Sequence, residues 1–167
     1  MERRNLQLLT GSGRLNDMTA YQETRIRWEQ DKPLYKEFGI ELKRALSLAL
    51  RNEGISSRIS CRIKDTDSLF KKLMRKGVDY EDIRDKAGVR IVVNFKNQLK
   101  AIDEVIINML GDAVKKREDM SIELGESVFG YQAIHYDICL LKDDKEYYCE
   151  LQLRTICQDT WSELSHA

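Results

Sequence analysis

The spacing of hydrophobic positions changes several times along the chain, and each spacing predicts an element. Between residues 19 and 53, helix formers predominate and apolar positions recur every three or four residues, which predicts one long helix that ends at Gly54. Its predicted apolar stripe consists of Leu34, Phe38, Leu42, Ala45, Leu46 and Ala49. Pro33 is expected near the start of this helix, because proline is tolerated only in the first turn. Residues 1–18 show no clear period and are predicted to form a loose arm before a domain of residues 19–167.

The rest of the chain alternates between strand-like and helix-like segments. Alternating or β-branched runs predict strands at residues 56–64, 87–95, 133–141 and 145–154. Amphipathic runs predict helices at residues 66–77, 97–111 and 155–167. The core faces of the first two of these helices are predicted to be Leu69, Phe70, Leu73 and Met74, and Leu99, Ile102, Ile106 and Met109. "KDDK" predicts a β-hairpin turn, whereas residues 112–130 predict no firm element. The order predicts an α/β (α+β) fold, with helices packed on one mixed sheet of four or more strands.

Composition narrows the class of protein. The 167 residues are 42% hydrophobic and 34% charged, which is typical of one globular domain. No apolar run approaches the roughly 20 residues of a membrane span, and the N-terminus has no apolar signal core. The four cysteines form no C-x-x-C pair, which argues against a structural zinc site or a disulfide framework and favours a cytoplasmic location. The last predicted helix reaches Ala167 without a stop signal, which suggests a truncated chain.

Charge is balanced overall but not locally. The formal net charge is zero, which argues against a general polyanion-binding surface. Between Arg58 and Gly77, however, the cationic residues far outnumber the acidic ones. Arg62 and Lys64 are two apart on a predicted strand and therefore share a face, which Lys72 on the next helix can approach. A phosphate chain or a carboxylate partner would offset these charges, and the alternative is a solvated edge strand and helix face.

Two acidic residues are candidates for chemistry. Asp85 directly precedes a predicted strand, where it either caps a turn or binds Mg²⁺ together with a phosphate substrate. Glu150, Gln152 and Arg154 share one face of the last strand, opposite an apolar face. Such a polar face is either solvent-exposed or lines a cleft, in which the acid binds metal or polarises a hydroxyl group.

One further pair of residues is a candidate ligand contact, and the motifs of several other enzyme classes are missing from the sequence. Gly130-Tyr131 comes directly before an alternating strand, and forms either a tight turn only or a turn whose tyrosine ring holds a ligand. The sequence contains no G-x-S-x-G elbow, no Walker A loop and no G-x-G-x-x-G. Its two histidines are too few for a histidine–aspartate metal cluster.

Four stretches in order carry a family resemblance: "RIKDTDSLFKKL", "DIRDKAGVRIVV", "GYQAIHYDI" and "CELQLRTICQDTWSELSH". Over roughly residues 30–167 the chain resembles the synthetase domain of the RelA/SpoT alarmone enzymes. The resemblance implies a nucleotidyltransferase-like mixed sheet flanked by helices. It also implies a Mg²⁺-dependent (p)ppGpp synthetase, or GTP pyrophosphokinase, which transfers pyrophosphate from ATP to the 3′-hydroxyl of GDP or GTP and releases AMP.

The resemblance also implies roles for individual residues. Those that match ATP-binding positions are Arg62, Lys64, Ser68, Lys72 and Arg90. Asp85 and Glu150 match the magnesium ligands, and Glu150 also matches the acid that activates the 3′-hydroxyl. The tyrosine that stacks on the acceptor's guanine corresponds to Tyr131, with His135 nearby. Gln152 and Arg154 complete the acceptor-side motif on the last strand.

One departure leaves the acceptor open. Dedicated alarmone synthetases usually have a basic, asparagine-containing stretch before the Gly-Tyr pair, but this chain has "GESVFGY". This form resembles a divergent short branch of the family. Some of its members are toxins that act on the 3′ end of tRNA and would need an antitoxin partner, and others make adenosine alarmones. A tRNA acceptor requires a docking patch, for which Lys71, Arg75 and Lys76 are candidates.

A third alternative belongs to another class of protein. A catalytically inactive nucleotide-sensing module would keep Arg62 and Tyr131 but could dispense with Asp85 or Glu150, and both acids are present. A homo-oligomeric state also stays open, and no membrane partner is expected.

Overall fold

A computed structural model describes residues 11–120 and 133–165. The helices are α1 (Gly11–Asn52), α2 (Thr66–Lys76), α3 (Gln98–Leu110) and α4 (Ile156–Ser165). The strands are β1 (Arg58–Ile63), β2 (Ala87–Val93), β3 (Val114–Asp119), β4 (Ile134–Lys142) and β5 (Lys145–Thr155). Short 3₁₀ turns at Arg84–Lys86 and Gly111–Ala113 precede β2 and β3. The strands form one mixed sheet in the order β1-β2-β5-β4-β3, in which only β2 and β5 are parallel. The predicted α/β (α+β) fold is confirmed.

Helix α1 begins earlier than predicted. It starts at Gly11, so residues 11–18 are helical and do not belong to a loose arm, and residues 1–10 lie outside the described part. Pro33 lies in the helix interior, which corrects the expectation that it marks the first turn. Packing on both sides of the proline outweighs the lost backbone hydrogen bond, because the buried residues Trp28 and Tyr35 flank it. The observed buried stripe of α1 is Trp28, Tyr35, Phe38, Leu42, Leu46 and Leu50.

The core lies between one face of the sheet and the helices α1 and α3. Val89, Ile91 and Leu153 of the sheet are almost completely buried there. Three predicted core positions are wrong. Met109 is exposed because the helical period continues from Ile106 to Leu110. Met74 is 76% exposed because α2 packs through Leu69, Phe70 and Leu73, and Ala45 lies on the exposed side of α1.

Strand β3 was not predicted. Its sequence, "VKKRED", has no alternating pattern, and four of its six residues are exposed. The strand lies at the edge of the sheet and pairs only with β4, with a register shift between Val114 and Lys116. Because edge strands tolerate charged side chains on both faces, the usual hydrophobic signal is missing.

The β4–β5 hairpin sets which side chains reach each face. Asp143 and Asp144 connect the strands, and both have positive φ, 50° and 57°, as a two-residue type I′ turn requires. The resulting register puts Tyr136 and Ile138 in the core and His135 and Asp137 on the opposite face. None of the helices in the described ranges is both long and apolar enough to cross a membrane.

Candidate active site

The sheet face opposite the core carries two rows of residues that cross all five strands, and every one of these residues except Gly88 has a polar side chain. From β1 to β3, the first row consists of Arg62, Gly88, Glu150, Asp137 and Lys116. The second row consists of Ser60, Arg90, Gln152, His135 and Glu118. The β1–β2 side of this open face is cationic, whereas the β4–β3 side contributes most of the carboxylates. Glu150 lies in the middle strand, between the two.

Asp85, in the turn directly before β2, is held by two lysines. Lys64 Nζ donates a hydrogen bond to Asp85 Oδ2 at 2.8 Å, and Lys72 Nζ lies 2.8 Å from Oδ1. Burial pushes the pKa of Asp85 up, but the two ammonium groups outweigh it and hold the pKa below its ordinary value. Asp85 is therefore ionised at neutral pH, and the predicted approach of Lys64 and Lys72 to one point is confirmed.

Helix α2 is positioned for this contact by its caps. The Asp65 carboxylate accepts the Ser68 backbone N–H at 2.8 Å, and Gly77 ends the helix in the left-handed region. Ser68 is exposed in the first turn. Its predicted contact with ATP stays a prediction.

Glu150 is oriented by a chain of hydrogen bonds along β5. Arg154 Nη2 donates to Gln152 Oε1 at 2.6 Å, and Gln152 Nε2 donates to Glu150 Oε2 at 2.6 Å. His135 Nδ1 lies 3.5 Å from Glu150 Oε1. Burial lowers the pKa of His135 despite the nearby carboxylate, so the imidazole is neutral at pH 7. The structure therefore brings four predicted residues, Glu150, Gln152, Arg154 and His135, into one network.

Arg62 lies over a gap that a glycine leaves in the neighbouring strand. A Cβ atom at Gly88 would lie 3.4 Å from Arg62 Cγ and Nε, at the lower limit of ordinary van der Waals contact. Arg62 is exposed on the edge strand β1, as in the alternative of a solvated edge strand. Gly88 was not predicted as a site residue, although a glycine within a β-branched strand is a recognised signal of close approach.

Arg90 is engaged by helix α4. Its Nη1 lies 2.9 Å from Asp159 Oδ1 and 2.8 Å from Glu163 Oε1. Asp159 also accepts a hydrogen bond from Arg58 at 3.2 Å and lies 3.7 Å from Arg154 Nη1. Asp159, which sequence analysis missed, thus links α4 to three arginines of the open face. A contact of Arg90 with ATP stays a prediction.

Asp137 is a second acid beside Glu150 that sequence analysis missed. The two residues are direct cross-strand neighbours. Burial is the largest influence on Asp137 and raises its pKa, and Glu150 and Glu118 raise it further. Strand alternation alone could have placed Asp137 on the face of His135. Tyr131, the predicted guanine platform, lies outside the described residues.

The donor set fits Mg²⁺. Asp85 Oδ1 is buried, and the Lys72 ammonium group 2.8 Å away occupies only one of the two lone pairs of this oxygen, which leaves the other for a metal ion. The described residues contain no group of three or more His, Cys, Asp or Glu side chains arranged to hold a metal. Two carboxylates are nevertheless sufficient for Mg²⁺, which keeps several waters and takes further oxygens from substrate phosphates.

Comparison with known proteins extends these observations. Residues 61–167 match the family model that is described as a region found in RelA/SpoT proteins. The chain is 33% identical over 121 residues to the GTP pyrophosphokinase YwaC of Bacillus subtilis (strain 168), a match that covers 63% of this chain and 54% of that protein. It is 26% identical over 116 residues to the GTP pyrophosphokinase YjbM of the same organism, covering 65% and 54%. The chain thus spans about half the length of the curated relatives it matches.

The fold has solved counterparts as well. Small alarmone synthetase 1 from Bacillus subtilis superimposes with a TM-score of 0.70 at 25% identity, covering 84% of this chain and 77% of that chain. The family region contains Arg62, Asp85 and Glu150, and the solved fold has the same mixed α/β class. On the family match over residues 61–167, the chain belongs to the RelA/SpoT family.

Proposed function

We propose that this protein transfers the pyrophosphate group of ATP to the 3′-hydroxyl of GDP or GTP and releases AMP. The observation that carries the proposal is the position of Glu150 on the open face. It is a direct cross-strand neighbour of Gly88, over which Arg62 lies, and Gln152 and His135 hold its carboxylate. An oriented acid next to a cationic surface is suited to a transfer between two phosphorylated substrates.

The cationic side of the face is the proposed ATP site. Arg62 is exposed, and Lys64 and Lys72 converge on Asp85 with only 15% and 25% of their side chains exposed. Phosphoryl-type transfer depends on positioning and charge neutralisation more than on covalent help. These three side chains would offset the triphosphate and orient its β-phosphorus toward Glu150.

Asp85 and Glu150 would hold the magnesium ion, whose chemistry is to neutralise charge on the phosphate oxygens. The remaining chemistry falls to Glu150, which accepts the proton of the acceptor's 3′-hydroxyl. The 3′-oxygen then forms a bond to the β-phosphorus, and the bond from that phosphorus to the α–β bridging oxygen breaks. The pyrophosphate group moves to the acceptor, and the bridging oxygen leaves as part of AMP.

GDP or GTP is the first choice of acceptor because the matched relatives are named GTP pyrophosphokinases. A second candidate keeps the reaction but uses the 3′ end of tRNA. One observation favours it: Lys71 and Arg75 are exposed on α2, where they could contact a polyanion. The side chain of Lys76, the third patch residue, lies outside the described part.

The test uses the purified protein, Mg²⁺ and ATP labelled on the γ-phosphate. Parallel reactions contain GDP, GTP, unlabelled ATP alone or deacylated tRNA, and Glu150→Gln is the negative control. Label on GDP or GTP supports the first choice, and label on tRNA alone supports the second. Label on a second ATP molecule would instead indicate an adenosine alarmone. ATP binding without transfer to any acceptor would contradict the proposal and indicate a nucleotide-sensing module.

The docking patch has its own test. The double variant Lys71→Glu/Arg75→Glu should abolish transfer to tRNA and leave transfer to a free nucleotide within about twofold, because both side chains are exposed and the ion pairs of Asp85 are made by Lys64 and Lys72 instead. Transfer to tRNA that survives the charge reversal would exclude α2 as the docking surface.

A further inference from the structure

The residue after Asp85 is a buried lysine. Lys86 is 2% exposed, and its ammonium group lies 4.1 Å from the ring centre of Tyr80 and 5.6 Å from that of Tyr35. Tyr80 is itself fixed, because its hydroxyl donates to Asp31 at 3.0 Å. The described residues place no carboxylate within 4 Å of the Lys86 ammonium group. The ammonium group therefore lies against aromatic rings and a backbone carbonyl group rather than against a carboxylate.

A lysine is a costly choice for this position. Burial lowers the pKa of Lys86 to about 8, since the core solvates the ammonium group poorly. Leucine or methionine would fill the same space without that cost, and replacing buried charges by apolar residues is often neutral or stabilising. Space filling alone does not explain the residue.

The polar contacts of Lys86 span the turn that carries Asp85. Its Nζ donates to the carbonyl oxygen of Ile83 at 3.0 Å, directly before the 3₁₀ turn Arg84–Lys86. Its own carbonyl oxygen accepts the backbone N–H of Lys64 at 2.9 Å. Between these two bonds, Asp85 has φ −95° and ψ 31°, close to the sparsely populated bridge region. The direction of the Asp85 carboxylate thus depends on what closes the turn.

We infer that Lys86 is a positioning residue, whose buried ammonium group closes the turn and directs Asp85 toward Lys64 and Lys72. The side chains of Asp85 and Lys86 leave the turn in different directions, one into the ion pairs of the open face and the other into the aromatic core. Lys86 therefore acts on the site through the backbone. The inference about catalysis rests on the proposed magnesium-binding role of Asp85.

The test compares Lys86→Met, which keeps the length but removes the donor, with Lys86→Gln, which keeps an N–H donor. In the protein without nucleotide or metal, we expect backbone amide hydrogen exchange at Lys64 to be about tenfold faster in Lys86→Met and within about threefold of wild type in Lys86→Gln. In the pyrophosphate transfer assay, Lys86→Met should raise the Mg²⁺ concentration for half-maximal rate about tenfold, with the KM for ATP unchanged. Ile106→Val, a core change distant from the turn, is the stability control and should leave both readouts unchanged.

Wild-type exchange at Lys64 in Lys86→Met, or equally fast exchange in Lys86→Gln, would overturn the inference. If Lys86→Met does not fold, Lys86→Gln decides: wild-type exchange and Mg²⁺ dependence support the role of the donor, and tenfold faster exchange contradicts it. A wild-type protein that transfers pyrophosphate to no acceptor would contradict the proposed function, while the exchange comparison would still test the turn.

Discussion

The two faces of strand β5 differ in almost every respect although they are built from alternate residues. Cys149, Leu151 and Leu153 are completely buried against the helices. Glu150, Gln152 and Arg154, on the other face, form one hydrogen-bonded chain. The first face is held by apolar burial and the second by directed polar contacts. Because neighbouring residues serve such different purposes, stability and activity should respond separately to substitutions one position apart.

The largest expected effect is that of Glu150→Gln on the open face. The proposed proton acceptor is lost, while the amide keeps the shape and one hydrogen-bonding oxygen, so kcat should fall by about 10²–10⁴-fold. The free energy of unfolding should change by no more than about 1 kcal/mol, because the amide oxygen can still accept the hydrogen bond from Gln152. Label transfer and urea denaturation measure the two quantities. A variant that keeps a tenth of the wild-type kcat would remove Glu150 from the mechanism.

The neighbouring substitution Leu151→Ala should give the reverse pattern. Truncating a completely buried leucine should lower the free energy of unfolding by about 2–5 kcal/mol. The kcat of the folded fraction should stay within about threefold of wild type at a temperature well below the transition. If kcat instead falls as far as in Glu150→Gln, the two faces are not separable.

Lys72→Met should have an intermediate effect on the cationic side of the face. Removal of one ammonium group from the proposed triphosphate site should raise the KM for ATP about 10- to 100-fold, with a smaller change in kcat. Lys36→Met is the matched control, because Lys36 is exposed on α1 and away from the site. An unchanged KM in Lys72→Met would restrict this lysine to its ion pair with Asp85.

The smallest expected effect is on acid stability. The pKa of Asp85 lies below its ordinary value in the folded protein, so its contribution to stability is complete above the ordinary pKa and is lost as the pH falls toward the lowered one. Asp85→Asn should therefore be less stable than wild type at pH 6, and the difference should shrink below about pH 4. Urea denaturation at pH 6, 4 and 3 gives the comparison. A difference that stays constant over this range would mean that the ion pairs of Asp85 do not stabilise the fold.

Local signals predicted the elements whose information is contiguous in the sequence. The hairpin followed from two aspartates between alternating runs, and α2 followed from its apolar spacing and Gly77. Strand β3 was not predicted from local signals, because an exposed edge strand needs no apolar face. The position of Pro33 within the helix was not predicted for another reason. The packing of Trp28 and Tyr35 depends on tertiary contacts and outweighs the local preference of proline.

The same distinction between local and long-range information decided which site residues could be predicted from the sequence. Lys64, Lys72 and Asp85 were predictable because strand periodicity and the family motifs point to them, and the geometry joins them. Asp159 was not predictable from the sequence, because its partner Arg90 belongs to a strand 69 positions away in the chain. The proposed positioning role of Lys86 follows only from its burial, which the sequence does not reveal. A lysine next to an aspartate in a sequence is normally expected at the protein surface.

The parallel pairing of β2 with β5 has a consequence for the order of folding. The residues of the cationic half of the site are contiguous in the chain, from β1 through α2 to β2. Glu150 joins it only when residue 150 pairs with residue 88, a contact that closes a long loop and is entropically slow. During synthesis, the residues of the proposed phosphate-binding surface are therefore complete before the proposed proton acceptor has been added. The proposed activity would therefore appear only once β5 has docked beside β2.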